Sequence, residues 1–266
     1  MKAEFLLTRE KNTELTIYTA PNQEFPLHFH SHIEICLVLS GEVETCINNQ
    51  KQLLKAGDIS VAWICDTHEY STPTESQVLS LIIPPMWFSE FLPILNNNCV
   101  SSPFISDKEL FDKLYSWIKE IEKSDDELMK KGYIYLILSS LIKYMHFEKT
   151  AIKTDRVLSS KILIFLNEHF RENITLVSVA NALGYHPNYI SQFFKRTLKI
   201  SFVQYLNILR SREALVLIQS GKKTISECAF ECGFQSLRTF YRTFHSMFGL
   251  SPRDFMRDTS IVENDK

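Results

Sequence analysis

The chain contains one pattern twice, TLVSVANALGY at residues 175–185 and TISECAFECGF at residues 224–234. Its threonine, alanine, glycine and aromatic positions recur at an offset of 49 residues, and Phe194 recurs as Phe244 at an offset of 50. Self-similarity at a fixed period of this size indicates a repeated supersecondary unit. We therefore expect two copies of one unit in the carboxyl-terminal part of the chain.

Each copy has the signals of a helix, a tight turn and a second helix. Thr224 and Glu227 are spaced as a capping box, in which each side chain bonds an amide at the start of a helix, and Thr175 caps the first copy. Gly184 and Gly233 suit the left-handed backbone conformation of a tight turn between helices. This layout predicts two helix-turn-helix units, each with a second helix that enters the major groove of DNA.

The net charge of −2 hides two halves of opposite sign. Residues 156–257 carry 14 Lys and Arg against 6 Asp and Glu, whereas residues 1–155 carry 14 against 22. The basic half contains the repeat, and neutralising DNA phosphates is the simplest use for its excess charge. The alternative is a basic helical bundle that binds no nucleic acid, but repeat, caps and charge agree on DNA binding.

The motif at residues 183–195, LGYHPNYISQFFK, resembles the first DNA-binding unit of the AraC/XylS family of bacterial transcription regulators. Lys199 stands where this family has Gly, and His245 stands where it has Lys, which predicts a weaker or pH-sensitive phosphate contact there. Residues 225–234 resemble the family signature of the second unit, together with Phe240, Arg242, Phe244, Phe248, Gly249, Ser251 and Pro252.

The resemblance also implies which side chains read DNA. Gln and Asn can read adenine, Arg can read guanine, and an apolar tip can meet the thymine methyl group. For each polar residue the alternative is a solvated helix face. The predicted contacts are Asn188, Ser191, Gln192 and Lys195 in the first unit, and Leu237, Arg238, Tyr241 and Arg242 in the second. The predicted inward-facing residues are Tyr189, Ile190, Phe193, Phe194, Phe240 and Phe244.

A stiff helix is predicted between the two units. Ser201 and Gln204 form another capping box, and the helix continues to about Ile218, ahead of a Ser-Gly pair. Eighteen helical residues span about 27 Å. Such a spacer suits two recognition helices held near one turn of DNA apart, about 34 Å.

The amino-terminal part reads as short strands from Phe5 to Pro85. Apolar and β-branched runs, such as Ile33–Leu39, alternate with turn signals such as Asn48-Asn49. Many short antiparallel strands with little helix predict a sandwich or a small barrel. The fold class is therefore α+β, with an antiparallel β domain, a helical linker region and an all-α carboxyl-terminal domain.

The predicted barrel contains a His-x-His motif, His28 and His30, followed by Glu34 and, after a second turn, His68. This spacing resembles the first cupin motif, and the segment that ends at His68 resembles a degenerate second motif. In cupin enzymes the corresponding side chains bind a metal ion. Neutral imidazoles and a carboxylate at alternating strand positions point to the same side of the sheet, which makes that chemistry available here.

We nevertheless expect no metal and no other cofactor. The degenerate motif lacks the usual Pro and Gly before its His, and members of the regulator family commonly keep the first motif in a barrel that senses a small molecule. Polar groups beside one aromatic face suit a sugar or other polar metabolite, although ordinary packing remains the alternative. The predicted ligand-binding residues are His28, His30, Glu34, Trp63 and His68.

Two helices are predicted after the barrel, over Asp107–Ile121 and Leu128–Phe147, from apolar residues at three- and four-residue spacings. In the regulator family this region often pairs two protomers, so a homodimer is expected. The alternative is that both helices pack on their own barrel. The predicted dimer seam consists of Leu110, Leu114, Trp117, Ile118 and Ile121.

The domain plan follows from these elements. The chain shows no signal peptide and no apolar run of membrane-spanning length, so a cytoplasmic protein without membrane contact is expected. Six cysteines show no paired metal-ligand spacing, and core packing is favoured over redox sensing for Cys228 and Cys232. The predicted parts are 1–95, an effector-sensing β domain; 96–148, a helical dimerisation region; 149–155, an interdomain linker; 156–258, the DNA-binding domain; and 259–266, a tail.

The sequence thus predicts a DNA-binding transcription regulator, an activator controlled by a small molecule, and not an enzyme. Its expected partners are double-stranded DNA, RNA polymerase, the effector and a second copy of the chain. Two alternatives stay open. One is a metal-dependent cupin enzyme with a DNA-binding appendage, and the other is a virulence-type regulator that needs no ligand or responds to fatty acids or ions.

Overall fold

A computed structural model describes residues 3–95, 98–145, 147–149 and 155–256. The chain forms two compact units. One comprises Met1–Arg9 with Glu14–Lys161, and the other comprises Glu10–Thr13 with Ile162–Lys266. Most of the predicted linker 149–155 and all of the predicted tail 259–266 lie outside the described residues.

The amino-terminal unit is built on a nine-stranded sheet, which confirms the predicted β domain. The strand pairs are antiparallel except for β1 with β3. The strands of this sheet are β1 (Glu4–Phe5), β2 (Thr16–Pro21), β3 (Phe25–Phe29), β4 (Ile33–Ile47), β5 (Gln50–Lys55), β6 (Asp58–Ala62), β7 (His68–Ser71), β8 (Ser76–Ile83) and β10 (Phe104–Ser106). A separate pair joins β9 (Asn98–Val100) to β11 (Phe147–Lys149).

Strand β4 joins the two faces of the domain. Its first part pairs with β6 and β8, and its second part, from Glu42 onward, pairs with β5 and β7. The change of partner occurs at Gly41, where φ is +71° and an added Cβ would lie 1.8 Å from the Glu75 carbonyl oxygen. Only glycine can be this close to the backbone of Glu75. At this position β4 changes from pairing with β6 and β8 to pairing with β5 and β7.

The first part of β4 is buried on both sides. Ile33, Ile35 and Leu37 point to one face, whereas Glu34 and Cys36 point to the other, because strand side chains alternate. The apolar face belongs to the hydrophobic core. The second face places a carboxylate and a thiol inside the barrel, which sets up the site described below.

Helices cover the end of this unit. After the four-residue helices α1 (Leu7–Glu10) and α2 (Leu92–Leu95), α3 (Lys108–Lys123) and α4 (Glu127–Tyr144) pack on each other. Asp107 caps α3 by accepting from the Leu110 amide, and Asp126 caps α4 in the same way.

The predicted dimer seam is covered by its own subunit. Leu110, Leu114, Ile118 and Ile121 are buried, because α3 turns this apolar face inward, and Trp117 is half-buried. These side chains are therefore not available for contact with a second copy. The large apolar residues that stay exposed on α4 are instead Leu128, Met129 and Leu136, with Tyr144 at its end.

The carboxyl-terminal unit is helical and contains both predicted helix-turn-helix units. Its helices are the part of α5 (Asp155–His169) that begins at Ile162, followed by α6 (Leu176–Leu183), α7 (Pro187–Phe193), α8 (Phe202–Gln219), α9 (Ile225–Glu231) and α10 (Leu237–Phe248). After α7 the chain continues through a wider π-helical turn, Phe194–Leu198.

The predicted capping boxes are present at Thr175, Ser201 and Thr224. The box at Ser201 opens α8, whose 18 residues confirm the predicted spacer helix. Lys199, which ends the preceding turn, has a φ of +60°. This is the left-handed conformation that glycine adopts most easily, so Lys199 is strained where it stands.

The core of the second helix-turn-helix unit consists of α8, α9 and α10 side chains. Cys228 and Cys232 are fully buried in it, as predicted, and they pack with Phe240 and Phe244. Burial raises the pKa of the Cys232 thiol, which keeps it protonated. The two cysteines therefore act as small apolar residues here.

A buried ionic contact ties residue 10 to α8 within this unit. The Glu10 carboxylate accepts a hydrogen bond from the Tyr205 hydroxyl at 3.1 Å, and the Arg212 guanidinium donates to the Glu10 carbonyl oxygen at 3.1 Å. All three side chains are buried. A second buried arginine, Arg210, donates to the carbonyl oxygens of Phe170 and Glu172 at 2.8 Å each.

Candidate functional site

The first candidate surface is the exposed face of α7. Gly184 ends α6 with a φ of +71°, and the His186 side chain accepts from the Asn188 amide to start α7. Of the predicted contact residues in this unit, Asn188, Gln192 and Lys195 are exposed, and Ser191 is half-buried. These side chains are therefore accessible for contact with a binding partner.

One prediction for this helix is wrong. Ile190, Phe193 and Phe194 are buried as expected, but Tyr189 is 46 % exposed. Its ring stacks on Tyr185, with ring centroids 5.9 Å apart and an interplanar angle of 15°. On α7 the buried face is taken by Ile190 and Phe193, and Tyr189 lies outside it. Tyr189 therefore joins the exposed surface of the first unit.

The second candidate surface is the exposed face of α10. Ser236 caps this helix, with its hydroxyl accepting from the Thr239 amide at 3.4 Å. Arg238, Tyr241 and Arg242 are exposed, and α10 contains no acidic residue. Leu237 is half-buried and packs partly against the core, so it contributes to both surface and core.

The third candidate site lies inside the barrel and unites four of the five predicted ligand residues. His28 on β3 pairs across the sheet with His68 on β7, His30 follows β3, and Glu34 lies on β4. All four are buried, and one ligand atom from each lies within 4.8 Å of all the others. The fold therefore assembles residues that are up to 40 positions apart in the sequence.

The fifth residue, Trp63, lies in the turn after β6, outside this cluster. Its backbone amide donates to the Asp66 carboxylate at 3.0 Å, and its ring packs edge-on against Phe147. The indole Nε1 is buried without a hydrogen-bond partner among the described residues.

Backbone carbonyls orient the three imidazoles. A carbonyl oxygen can only accept, so each Nδ1 must donate, and in the neutral ring the lone pair is then on Nε2. The Nε2 atoms of His30 and His68 lie 3.4 and 3.7 Å from Oε2 of Glu34. The Nδ1 contacts are His28 to Pro26 at 2.9 Å, His30 to His32 at 3.2 Å, and His68 to Asp66 at 2.7 Å.

Burial dominates the electrostatics of the cluster. Burial, together with the neighbouring His68 and His30, lowers the pKa of His28 to about 3, so this imidazole is neutral at physiological pH. Burial alone would raise the pKa of Glu34, but the adjacent His30 and His68 hold it well below its ordinary value. The cluster thus combines neutral imidazole with a buried carboxylate.

A polar layer continues deeper into the barrel. The Cys36 thiol donates to Oε1 of Glu34 at 3.7 Å and lies 3.4 Å from the Ser80 hydroxyl. Burial raises the pKa of Cys36 to about 12, so the thiol keeps its proton. The hydroxyls of Thr45 and Ser60 are buried without a hydrogen-bond partner in the described part of the chain, and the buried Tyr70 hydroxyl lies beside Cys36 and Glu34. Sequence patterns alone did not reveal these residues, because they alternate with apolar neighbours like any core position.

Comparison with known proteins finds a known domain family in each half of the chain. Residues 179–258 match the model of a helix-turn-helix domain, and residues 16–84 match that of a cupin domain. The melibiose operon regulatory protein of Escherichia coli K12 is 22 % identical, over 90 % of this chain and 86 % of its own. The transcriptional activator RhaS of Citrobacter koseri is 23 % identical, over 88 % of each chain.

Among solved structures, ToxT of Vibrio cholerae with a bound unsaturated fatty acid aligns over 92 % of this chain and 95 % of its own, with 16 % identity and a TM-score of 0.44. Within the described residues, no helix is both long and apolar enough to cross a membrane. The cupin match lies within the amino-terminal unit, and the helix-turn-helix match lies within the carboxyl-terminal unit. The two relatives named above align with most of the chain. The chain therefore belongs to the AraC/XylS family of DNA-binding transcription regulators, with a cupin-type ligand-binding domain ahead of its helix-turn-helix units.

Proposed function

We propose that α7 and α10 are the recognition helices and that each enters a major groove of double-stranded DNA. The observation that supports this most strongly is the repeated geometry. Each helix follows a capped partner helix and a left-handed glycine or a tight turn, and each exposes polar residues without any acidic side chain. The α8 helix between them, about 27 Å long, is a spacer of the right order to hold two helices one turn of DNA apart, about 34 Å.

The exposed side chains have the chemistry for base reading. Arg238 and Arg242 lie four residues apart on one face of α10 and can each donate two hydrogen bonds to guanine. On α7, Asn188 and Gln192 can read adenine in the same way, and Lys195 can neutralise a phosphate. Ser191 and Tyr241 complete the two surfaces, and Leu237 offers an apolar contact at the edge of the second.

The proposal includes activation of transcription by recruitment of RNA polymerase, which places the protein in the cytoplasm. RhaS is named a transcriptional activator, and the melibiose operon regulatory protein is named for the operon that it controls. Both relatives are named as regulators, so we assign the barrel a sensing role. Its buried polar layer suits a polar effector better than an apolar one.

A homodimer is part of the proposal, with a changed contact face. Because α3 buries the predicted seam, the exposed apolar residues of α4 are the better candidates for contact with a second copy. Leu128 is 80 % exposed and Met129 is 52 % exposed. Leaving two adjacent apolar side chains in water is unfavourable in free energy, and such patches often mark protein–protein contacts. Replacing both with Gln is expected to lower the dimer fraction in sedimentation experiments, and an unchanged fraction would remove this face.

Selection of genomic fragments by the full chain tests the DNA proposal. We expect enrichment of defined fragments over random competitor at moderate ionic strength, and loss of that enrichment in Arg238→Ala. The matched control is Arg253→Ala, which removes the same charge from an exposed position outside both recognition helices. Enrichment that is equal in all three proteins would contradict base reading by Arg238.

A further inference from the structure

A cavity lies in the carboxyl-terminal unit, between the starts of α6 and α8 and the end of α7. Its volume is about 420 Å³, within the range of about 300–1,000 Å³ that is usual for small-molecule sites. Its walls are mostly apolar and include Leu176, Phe194, Phe202 and Leu206. The base contacts proposed above do not use these walls, so the cavity is a candidate for a separate binding site.

A buried cation lines this cavity. Arg210 is 6 % exposed, and its guanidinium donates to the carbonyl oxygens of Phe170 and Glu172 at 2.8 Å each. These bonds use two of its five N–H donors. Within the described residues no acidic side chain forms an ion pair with Arg210, and burial lowers the pKa of its guanidinium. A buried charge is costly unless an opposite charge compensates it, so Arg210 favours an anion in the cavity.

The mouth of the cavity is also positive. Val203 and Lys195 line the cavity and are exposed, so the cavity opens to solvent beside both of them. Among the described residues that line it there is no Asp or Glu. An entering anion therefore meets attraction both at the mouth, from Lys195, and inside, from Arg210.

The apolar walls favour an aromatic ring. The rings of Phe194 and Phe202 meet edge-on, with centroids 5.5 Å apart and an interplanar angle of 82°. Aromatic groups gain most from edge-to-face and offset contacts of this kind. Phe194 also begins the π-helical turn Phe194–Leu198, and such turns are frequent at functional sites. A ligand with one aromatic ring and one negative charge matches both parts of the cavity.

We propose that this cavity binds an aryl carboxylate, with the carboxylate paired to Arg210 and the ring against Phe194 and Phe202. The bound anion lowers the positive charge beside Ser191 and Lys195, which line the same cavity and which we assign to DNA contact. It therefore weakens attraction to the DNA phosphates. Binding of the anion stands on the cavity alone, whereas its effect on DNA rests on the function proposed above.

Calorimetric titration of the full chain with phenylbutyrate, in the absence of DNA, tests the site. We expect one molecule per chain. Phenylbutanol has the same ring but no charge to pair with Arg210, so it should bind at least about tenfold more weakly. No binding of phenylbutyrate, or equal affinity for the alcohol, would overturn the proposal. Tighter binding of inorganic phosphate than of phenylbutyrate would also overturn it, since the cavity would then be a phosphate site.

Two valines in equivalent helix positions locate the bound molecule. Val177 and Val203 are each the second residue of a capped helix, and they are 54 and 59 % exposed, but of these two only Val203 lines the cavity. Val203→Phe should fill the mouth and abolish binding. Val177→Phe is the matched control and should bind normally. Binding retained in Val203→Phe, or lost in both variants, would contradict the assignment.

Hydrogen exchange of the parent chain locates the site without any substitution. Phenylbutyrate should slow exchange in the first turn of α8 and in the turn Phe194–Leu198, because these segments line the cavity. Exchange in strands β3 and β4 of the barrel should not change. Slower exchange in the barrel strands alone would place the molecule in the other unit and would overturn the proposal.

Fluorescence anisotropy with a selected DNA site tests the effect on DNA. Saturating phenylbutyrate should raise the apparent Kd for DNA in the parent and in Val177→Phe, but not in Val203→Phe. An unchanged Kd in the parent with phenylbutyrate bound would refute the effect on DNA. A chain that binds phenylbutyrate yet prefers no DNA fragment would refute the recognition proposal and this effect, but not the site in the cavity.

Discussion

The glycines of the two helix-turn-helix turns should differ in their tolerance of alanine. Gly184 and Gly233 occupy equivalent positions in the repeat, and both have positive φ, +71° and +88°. A Cβ at Gly184 would meet nothing within 4 Å, whereas at Gly233 it would lie 2.4 Å from the Arg171 carbonyl oxygen and 2.8 Å from its carbon. The pair therefore separates the cost of backbone conformation from the cost of a steric clash.

The magnitudes follow from these two terms. An L-residue in the left-handed region costs about 1–2 kcal/mol, of which the stiffer unfolded chain of alanine offsets about 0.4–1 kcal/mol. Gly184→Ala should thus lower the free energy of unfolding by about 1 kcal/mol. In Gly233→Ala, overpacking against backbone that cannot rotate away adds about 1–3 kcal/mol.

The free-energy changes of both variants are measured by urea unfolding of the full chain, with hydrogen exchange of α8 to α10 as the readout. The chain's three tryptophans, Trp63, Trp87 and Trp117, belong to the amino-terminal unit, so their fluorescence provides an internal control that should not change. Equal destabilisation by the two variants, or a larger effect at Gly184, would refute the assignment of the clash at Gly233.

Three further changes have expected outcomes. Lys199→Gly should raise the free energy of unfolding of the carboxyl-terminal unit by about 1 kcal/mol in the same urea assay, because it removes a side chain from a left-handed position. Tyr205→Phe should lower it by about 1–2 kcal/mol, since the buried Glu10 carboxylate loses a donor. Arg238→Ala and Arg242→Ala should each weaken binding to a selected DNA site by about 1–3 kcal/mol at fixed salt, measured by fluorescence anisotropy.

Each of these three outcomes has a result that would contradict it. An unchanged or lowered stability in Lys199→Gly would show that the lysine is not strained. Wild-type stability in Tyr205→Phe would show that Glu10 does not depend on the hydroxyl. Loss of affinity for selected and random DNA by the same factor would make the arginine concerned a phosphate contact and not a base contact.

Features with local causes were predictable from the sequence. The capping box of Ser201 and Gln204 sets the start of α8, and the helix ends within one residue of the predicted position. Duplication of the Thr, Gly and aromatic positions revealed both helix-turn-helix units, since caps and turns depend on residues a few positions apart.

Features that depend on distant packing were not predictable. Whether Leu114 and Ile118 face a second copy or their own subunit depends on how α4 and the sheet meet α3, and the amphipathic pattern is the same in both cases. Tyr189 has the same aromatic character as its buried neighbours, but it lies at the surface of α7. The closeness of His28, Glu34 and His68 inside the barrel depended on the pairing of distant strands, which the spacing of the motif does not establish.

Methylation interference on a selected DNA site tests the two-groove account most directly. Two recognition helices in successive major grooves should give two contact regions on one face of the duplex, about one helical turn apart. Gln192→Ala should weaken only one of these regions, and Arg238→Ala should weaken only the other. A single contact region, or two regions that respond identically to both substitutions, would contradict the account.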